Sequence, residues 1–600
     1  FFKGKFTSAA GNMKKTWHVI NTLLGSSSTH KKHTFPTAMK CNDKSYSGDD
    51  AISNIFNRYF IDVGSDLAST CKPSGNHMAH LKRNKSSAYF KSCTPEEIVD
   101  IVCGFKTGKS PGFDGIDGAI VKKVINIICF PLCAIINLSI TTGSVPDKLK
   151  ISKVIPIFKN GPKEEVSNYR PISVLPFFSK ILEKCVYNRL LNFLNKFKII
   201  TQSQFGFRPG CSTSSALTNF LFNVLNVMDN KEVMIGLFID LCKAFDSLDH
   251  SILLQKLRCY GVRGILLEWF KSYLNERKQF VKINDTESES LTVRCGVPQG
   301  SILGPLLFLL YINDVVNVSD KLNLILFADD TSVFMSHKDI NILQQNFNFE
   351  LDKFVDWLHD NKLVLNLKKT NFMIFSNKYV NDTISIKIKD HEIKRTSQVK
   401  FLGLTLDDKL TWNEHTSVIC NRLAKTIGVL YKLKSCSTEI LKMLYNTLIL
   451  PHLMYCIQIW NNSSNKNMSR LFKLQKKAIR IVSHSSYLAH TQPIFYRLKT
   501  LNIYDLYNFQ CAIFMYMCYH KTLTNSILNY FRLNNTVHDY QTRSANNFNI
   551  PLVRLEVYKK SIFFQGPIIW NNLPLQIRTR TFLNSFKRSL KQHLFTTYVQ

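Results

Sequence analysis

Acidic residues are what this sequence has least of: 43 Asp plus Glu stand against 77 Lys plus Arg in 600 residues, a formal charge of +34. A surplus of that size repels itself across a folded chain unless a polyanion offsets it. Nucleic acid is therefore the first expected partner, ahead of an anionic membrane surface. Beyond residue 480 the acids dwindle to Asp505, Asp539 and Glu556. Zinc-type spacing is missing too. The 16 cysteines are scattered, with no CxxC pair and no matching histidines, which argues for a reducing compartment and against a structural zinc. Cys129 and Cys133 fall in an apolar stretch, where free cysteine packs as a small hydrophobe. That stretch, VINIICFPLCAIINLSI (124–140), is broken by Pro131 and two asparagines. It falls short of a membrane span and is expected to form a buried helix pair, so no membrane partner is expected. No secretory signal, long repeat or low-complexity tract is visible, and the expected localisation is nucleus and cytoplasm. The chain opens FFKGKF without an initiator methionine, as a fragment or processed piece would.

What is present is enough to build several cores: 45% of residues are apolar and 12% aromatic, and 600 residues exceed a single ordinary domain. Residues 1–90 are basic and rich in Ser, Asn and Lys, and GSSSTHKKHT (25–34) reads as a linker between short helices. Clear order is expected from Thr94-Pro95-Glu96-Glu97, an N-cap with proline at the first helical position and a capping-box glutamate. A Gly/Pro/Lys-dense loop, KTGKSPGFDGI (106–116), follows. Helix and strand patterns then alternate to about 412 and give way to helices. In LFKLQKKAIRIV (471–482), Leu471, Leu474, Ala478 and Ile481 share one helical face and Lys473, Lys476, Lys477 and Arg480 the other. Similar cations recur at Arg422, Lys425, Lys432 and Lys434, and at Lys587, Arg588 and Lys591. A nearly acid-free helical surface is built to lie along phosphates.

Chemistry gathers around LILFADDTSVF (324–334), where two apolar runs flank Asp329-Asp330. The pattern predicts a hairpin with carboxylates at its apex; taken alone, Asp-Asp is ordinary turn chemistry. A second apolar run, Val233 to Ile239, ends at Asp240. A carboxylate terminating a buried strand is costly unless its charge is paired. Set beside the hairpin, Asp240 would meet Asp329, and carboxylates so close repel unless divalent cations or shared protons intervene. Between the two lies RCGVPQGSILGPLLFLLYIND (294–314), whose Gly296, Pro298 and Gly300 permit close backbone approach. Ser301 can cap the following helix, leaving its N-terminus and Gln299 facing the same cleft.

FIDLCKAFD, GVPQGSILGPLLF, FADD, LNLKKTNFMIF (365–375) and VKFLGLTLD (399–407) stand in the order and spacing of reverse transcriptases. The set resembles those of non-long-terminal-repeat (LINE-type, jockey-like) retrotransposons. KSPGFDGI, VIPIFKNGPKEEVSNYRPISVLPFFSKILEK and QFGFRPGCST match the same family upstream. The resemblance is dense over about 90–480 and looser beyond, where YQTRSANNFNIP and FQGPIIWNNLP resemble such tails.

The resemblance implies an α+β right-hand polymerase. Residues 1–90 would be a basic extension, 91–235 fingers with the start of the palm, and 236–412 palm with an antiparallel sheet. A helical thumb would occupy 413–480 and a basic helical domain 481–600. It assigns Asp240 and Asp329 to two Mg2+ ions (Mn2+ as the alternative), with Asp330 completing the triad. Phe245 becomes the steric gate against a ribose 2′-hydroxyl, with core packing as its other reading. Gln299 and Gly300 contact the incoming nucleotide and template, and Lys159 and Arg170 grip its triphosphate. Lys369, with Lys368 as competitor, is the general acid for pyrophosphate, and Phe401, Leu402 and Gly403 form the primer grip. Asp246, Asp249 and His250 read as structural. Partners implied are an RNA template, a DNA primer or target DNA, deoxynucleoside triphosphates and the element's own RNA. In the implied reaction a primer 3′-hydroxyl attacks the α-phosphate of a deoxynucleotide. An N-terminal endonuclease, present in relatives, is expected to be lacking. Three dispersed acids beyond residue 480 cannot build a ribonuclease H, and no zinc knuckle is seen. An RNA-directed RNA polymerase is the nearest enzymatic rival, disfavoured by the aromatic at Phe245. A catalytically decayed RNA-binding scaffold is the non-enzymatic one, disfavoured by the survival of Asp240 and Asp329, and a basic packaging protein leaves the motifs unexplained.

Overall fold

A computed structural model describes residues 2–9, 12–23, 35–378, 384–537 and 544–598. The GSSSTHKKHT segment, Asp539 and the start of YQTRSANNFNIP lie outside them. The architecture is α+β. A five-stranded sheet runs in the order Lys394–Arg395, Asn371–Phe375, Val233–Ile239, Asp330–His337, Asn323–Phe327. Its pairings are antiparallel except for the short Lys394–Arg395 strand.

Strand side chains alternate between faces, and here both faces are covered. Met234, Phe238, Phe334, Met373 and Phe375 enter one core, shared with helix Thr213–Asp229 and the C-terminal helices. Ile235, Leu237, Ile239, Val333 and Ile374 enter the other, with helices Phe177–Lys196, His250–Tyr260, Leu303–Ile312 and Ile340–Asp360. That is why Val233–Ile239 reads as an unbroken apolar run rather than an alternating one.

A second sheet joins Tyr169–Val174, Ile151–Phe158, Lys278–Ile283 and Thr286–Glu287. It is covered by a helix that the composition of residues 1–90 concealed. Asp49–Ser69 buries Ile52, Phe56 and Phe60 against Val154, Tyr169, Val281 and Ile283. Order therefore begins well before Thr94, with a hairpin at Ala38–Cys41 and Lys44–Ser47. Thr94 does cap helix Pro95–Gly104, accepting from the Glu97 amide at 3.3 Å. Glu97 does not return the favour; Arg189 takes its carboxylate with two 2.8 Å bonds.

The expected helix pair at 124–140 is one continuous helix, Gly118–Thr142. Pro131 sits inside it, and Asn137 turns inward to hold both the N–H and the carbonyl of Cys93. A proline removes one internal bond, which a long helix packed along one side tolerates. Val121, Ile125, Leu132 and Ile136 are buried, whereas Ile127 and Phe130 are 78% and 66% exposed. By length and apolarity alone the helix could cross a membrane; one face is packed on protein.

From Asn413 onward the chain is helical. Helix Asn465–Val482 buries Leu471, Gln475, Ala478 and Val482, so the buried stripe is shifted from the expected Leu474 and Ile481, which are only partly covered. Gln475 can go inside because its amide is satisfied: it donates to the Tyr445 hydroxyl and the Leu501 carbonyl and accepts from the Ile503 amide.

Candidate active site

The FADD segment is the tightest turn the sheet allows. Phe327 pairs with Asp330, leaving Ala328 and Asp329 as the two turn residues. Ala328 takes φ +56°, as such turns require. Thr331 lies opposite Ile239, so one step further the ladder brings Asp330 level with Asp240. Asp329 lies in the turn itself, outside the ladder. A residue the sequence reading missed supports this turn. Gln204, buried, accepts from the Ala328 amide at 3.1 Å and from the Gly206 amide at 2.8 Å. Its neighbours add to the sheet edge, Phe205 donating to Leu326 and Leu326 to Ser203. A side chain at Gly206 would put Cβ 2.3 Å from the Ala328 nitrogen.

Asp240 is held from the other side. Asn366 donates its side-chain amide to Asp240 Oδ2 at 2.9 Å and its backbone N–H to the Asp240 carbonyl at 2.8 Å. Lys369 places Nζ 3.5 Å from the same Oδ2. Asn366 belongs to the quoted LNLKKT run, yet nothing in its local pattern marks a contact 126 residues away.

The three carboxylates and their neighbouring cations are electrostatically linked. Burial, then Asp329 and Asp240, push the Asp330 carboxyl up to about 6, with Lys159 pulling the other way. Lys159 is depressed by burial and by Arg170 and Lys369, and drawn back by Asp240 and Asp329. Three acids and three cations from separate segments thus share one field. The three acids offer only oxygen atoms, the ligand type that Mg2+ takes, and the Lys369 ammonium already leans on Asp240.

Phe245 is partly buried, stacked on Phe308 at 4.6 Å and edge-on to Phe207 at 6.4 Å. Its ring is both packed and reachable. The Gln299 carbonyl accepts from the Ser173 amide at 2.8 Å. At Gly300 the chain takes φ +137°, and a Cβ there would meet the Ser173 carbonyl at 2.3 Å, so this glycine serves a close approach to a neighbouring strand. Ser301 caps as expected, accepting from the Gly304 amide at 2.9 Å. The helix N-terminus itself is not open to the cleft. Buried Glu183 accepts from the Ile302 amide at 2.6 Å and from the Tyr273 hydroxyl at 2.7 Å, so the positive helix end already has its anion.

Phe401, Leu402 and Gly403 form the turn joining Gln398–Phe401 to Leu404–Asp407. Phe401 is buried, 5.4 Å from the rings of both Phe220 and Phe238. Leu402 and Gly403, at φ +45° and +85°, are the outward part. Tyr455 braces them, its hydroxyl donating to the Leu402 carbonyl at 2.7 Å. Asp249 caps helix His250–Tyr260 and pairs with Lys362 at 2.6 Å, while His250 meets the Gly296 carbonyl at 2.8 Å. Beyond the sheet, helices Asn413–Lys432 and Asn465–Val482 enclose a groove lined by Arg470, Lys473, Lys477 and Arg480, with Tyr487 at its edge.

Residues 159–406 match the family of reverse transcriptases (RNA-dependent DNA polymerases). Among curated relatives, the chain is 31% identical over 411 residues to a probable RNA-directed DNA polymerase from transposon BS of Drosophila melanogaster, covering 65% of this chain and 45% of the relative. It is 29% identical over 424 residues to the RNA-directed DNA polymerase from mobile element jockey of the same organism, covering 69% and 46%. To the probable polymerase from transposon X-element it is 27% identical over 423 residues. The match spans about half the length of these relatives.

Proposed function

We propose, from the match of residues 159–406 to the reverse transcriptase family, that the chain is an RNA-directed DNA polymerase that extends a DNA 3′-hydroxyl along an RNA template. The observation that carries the proposal is the convergence of Asp240, Asp329 and Asp330 with Lys159, Arg170 and Lys369 at one edge of the central sheet. We read that sheet as the palm, the sheet under helix Asp49–Ser69 as part of the fingers, and the helices after Asn413 as thumb and C-terminal domain.

In this reading Asp240, Asp329 and Asp330 hold two Mg2+ ions, with Mn2+ as substitute. The ions, when bound, lower the pKa of the primer hydroxyl and neutralise charge on the departing pyrophosphate. The protein's own groups do the rest. Asn366 and Gln204 keep two carboxylates in place, so little reorganisation is needed when substrate arrives. Lys159 and Arg170 draw in the triphosphate, and Lys369, already beside Asp240, is placed to hand a proton to pyrophosphate. The Phe245 ring, buttressed by Phe308, blocks a 2′-hydroxyl. Gln299 and Gly300 contact nucleotide and template, and the Leu402–Gly403 turn supports the primer. The basic groove beyond the sheet follows the phosphates of the RNA–DNA hybrid, as shape-based recognition of A-form duplexes does. The element's own RNA is the template in this proposal.

Primer extension on poly-rA with annealed oligo-dT, Mg2+ and labelled dTTP tests it, with Asp329→Asn alongside. Extension by the wild type and loss in the variant support the assignment. A wild type that binds the hybrid and extends nothing refutes it.

A further inference from the structure

We propose that Asp246, six residues beyond Asp240, is a positioning residue for nucleotide recognition: its carboxylate fixes the side-chain amide of Gln299. The proposal rests on the polymerase reading of Gln299. The Gln299 amide nitrogen lies 2.8 and 2.9 Å from the two Asp246 oxygens. An ionised carboxylate can only accept, so the nitrogen must face it and the amide oxygen must point the other way. Without Asp246 the amide is free to flip, and its two ends offer opposite hydrogen-bonding character. Asp246 thus settles which face of Gln299 a nucleotide meets.

The rest of the surroundings hold Asp246 still. Gly64 of helix Asp49–Ser69 and Gly296 both press against its main chain; Cβ atoms there would come within 2.1 and 2.7 Å of the Asp246 carbonyl oxygen. Cys295 Sγ reaches that oxygen at 3.4 Å, and the Asp246 amide donates to Lys243 at 2.8 Å. Gln299 is anchored on its own main chain by Ser173. The two segments are also joined main chain to main chain, Val297 donating to Phe245 at 2.9 Å and Gly296 to Leu248 at 2.8 Å, so the Asp246–Gln299 contact is set between fixed neighbours. Burial raises the Asp246 carboxyl to about 6, opposed first by the Gln299 bond and then by Lys243 and Arg170. Lys243 is the competing claimant, but its Nζ is engaged with the Ser167 and Tyr169 carbonyls, each at 3.3 Å.

The test is single-nucleotide extension of an RNA-template/DNA-primer hybrid by wild type, Asp246→Ala, Asp246→Asn, Gln299→Ala and the double Asp246→Ala/Gln299→Ala. Binding of dNTP to the complex on a dideoxy-terminated primer is measured in parallel, and melting transitions check folding. Asp246→Ala is expected to raise KM for the dNTP about tenfold while kcat moves far less. Asp246→Asn, which still offers an acceptor oxygen, should recover most of the loss. The double variant should be no worse than Gln299→Ala, since one residue acts through the other. An unchanged KM in Asp246→Ala, or losses that multiply in the double variant, overturn the proposal. If Asp246→Ala does not fold, Asp246→Ser, too short to reach the amide, replaces it. If the wild type extends nothing, the polymerase reading fails separately, and dNTP binding on the blocked primer still decides whether Asp246 matters to nucleotide capture.

Discussion

The carboxylate edge of the central sheet and the cationic face of helix Asn465–Val482 use charge in opposite ways. At the edge, Asp240 is fixed by two bonds from Asn366, and the turn carrying Asp329 is fixed by Gln204. Along the helix, Lys473 and Lys477 project from an exposed surface, and their helix is held by what lies beneath, above all the satisfied amide of Gln475. In the proposed function, ordered charge of the first kind serves a reaction at one point in space. Loosely held charge of the second kind serves a long polyanion, which it meets through many weak, interchangeable contacts. Losses at the edge should therefore be abrupt and local, and losses on the helix graded and salt-dependent.

The strongest way to break that contrast is Asp240→Asn. Extension should fall on the order of a thousandfold or more, while hybrid affinity, read by fluorescence anisotropy, stays near wild type. A parallel loss of binding would mean the edge also grips the duplex. Replacing Lys473, Lys476, Lys477 and Arg480 together by alanine should weaken hybrid binding by about a hundredfold and flatten the log–log salt dependence by about 3.6, close to one unit per lost phosphate contact. KM for dNTP should not follow. Asn366→Ala sharpens the comparison further, since it removes order and no charge. Loss of a bond to a charged group should cost roughly ten- to a hundredfold in extension, with salt dependence unaltered.

The smallest effect is in pH. The Asp330 carboxyl, raised to about 6, takes up a proton as pH falls through that value, and a proton competes with a divalent cation for the same oxygens. The Mg2+ concentration for half-maximal extension should rise several-fold between neutral pH and pH about 5.5.

The chain's own pattern revealed what depends on neighbours in sequence. The apolar run ending at Asp240, the hairpin around Asp329, the Thr94 cap and the Ser301 cap all follow from local periodicity and turn chemistry. Residues whose worth lies across the fold stayed hidden. Gln204 and Asn366 are ordinary amides until their partners, 124 and 126 residues distant, are known. Glu183 looks like one more helix-surface acid, and the structure buries it under another helix's first turn. Helix Asp49–Ser69 was lost among Ser, Asn and Lys, although Ile52, Phe56 and Phe60 keep a four-residue spacing that a periodicity count would have caught. The shift from Leu474 to Gln475 has a different cause: hydrophobicity ranks leucine first, and only a complete set of partners lets glutamine take the inside place.

Strand Val233–Ile239 also sets a timetable for synthesis. It is flanked by Asp330–His337 on one side and Asn371–Phe375 on the other, so one edge stays bare until residue 337 has left the ribosome and the other until residue 375 has. Throughout that interval a fully apolar strand waits with at least one unpaired edge, the condition in which nascent chains associate with one another. The second sheet carries the same delay, because Ile151–Phe158 needs Lys278–Ile283 beside it. Ribosome-bound chains that still hold residue 375 in the exit tunnel and longer ones that have released it should therefore differ sharply in protease resistance and in their need for chaperones.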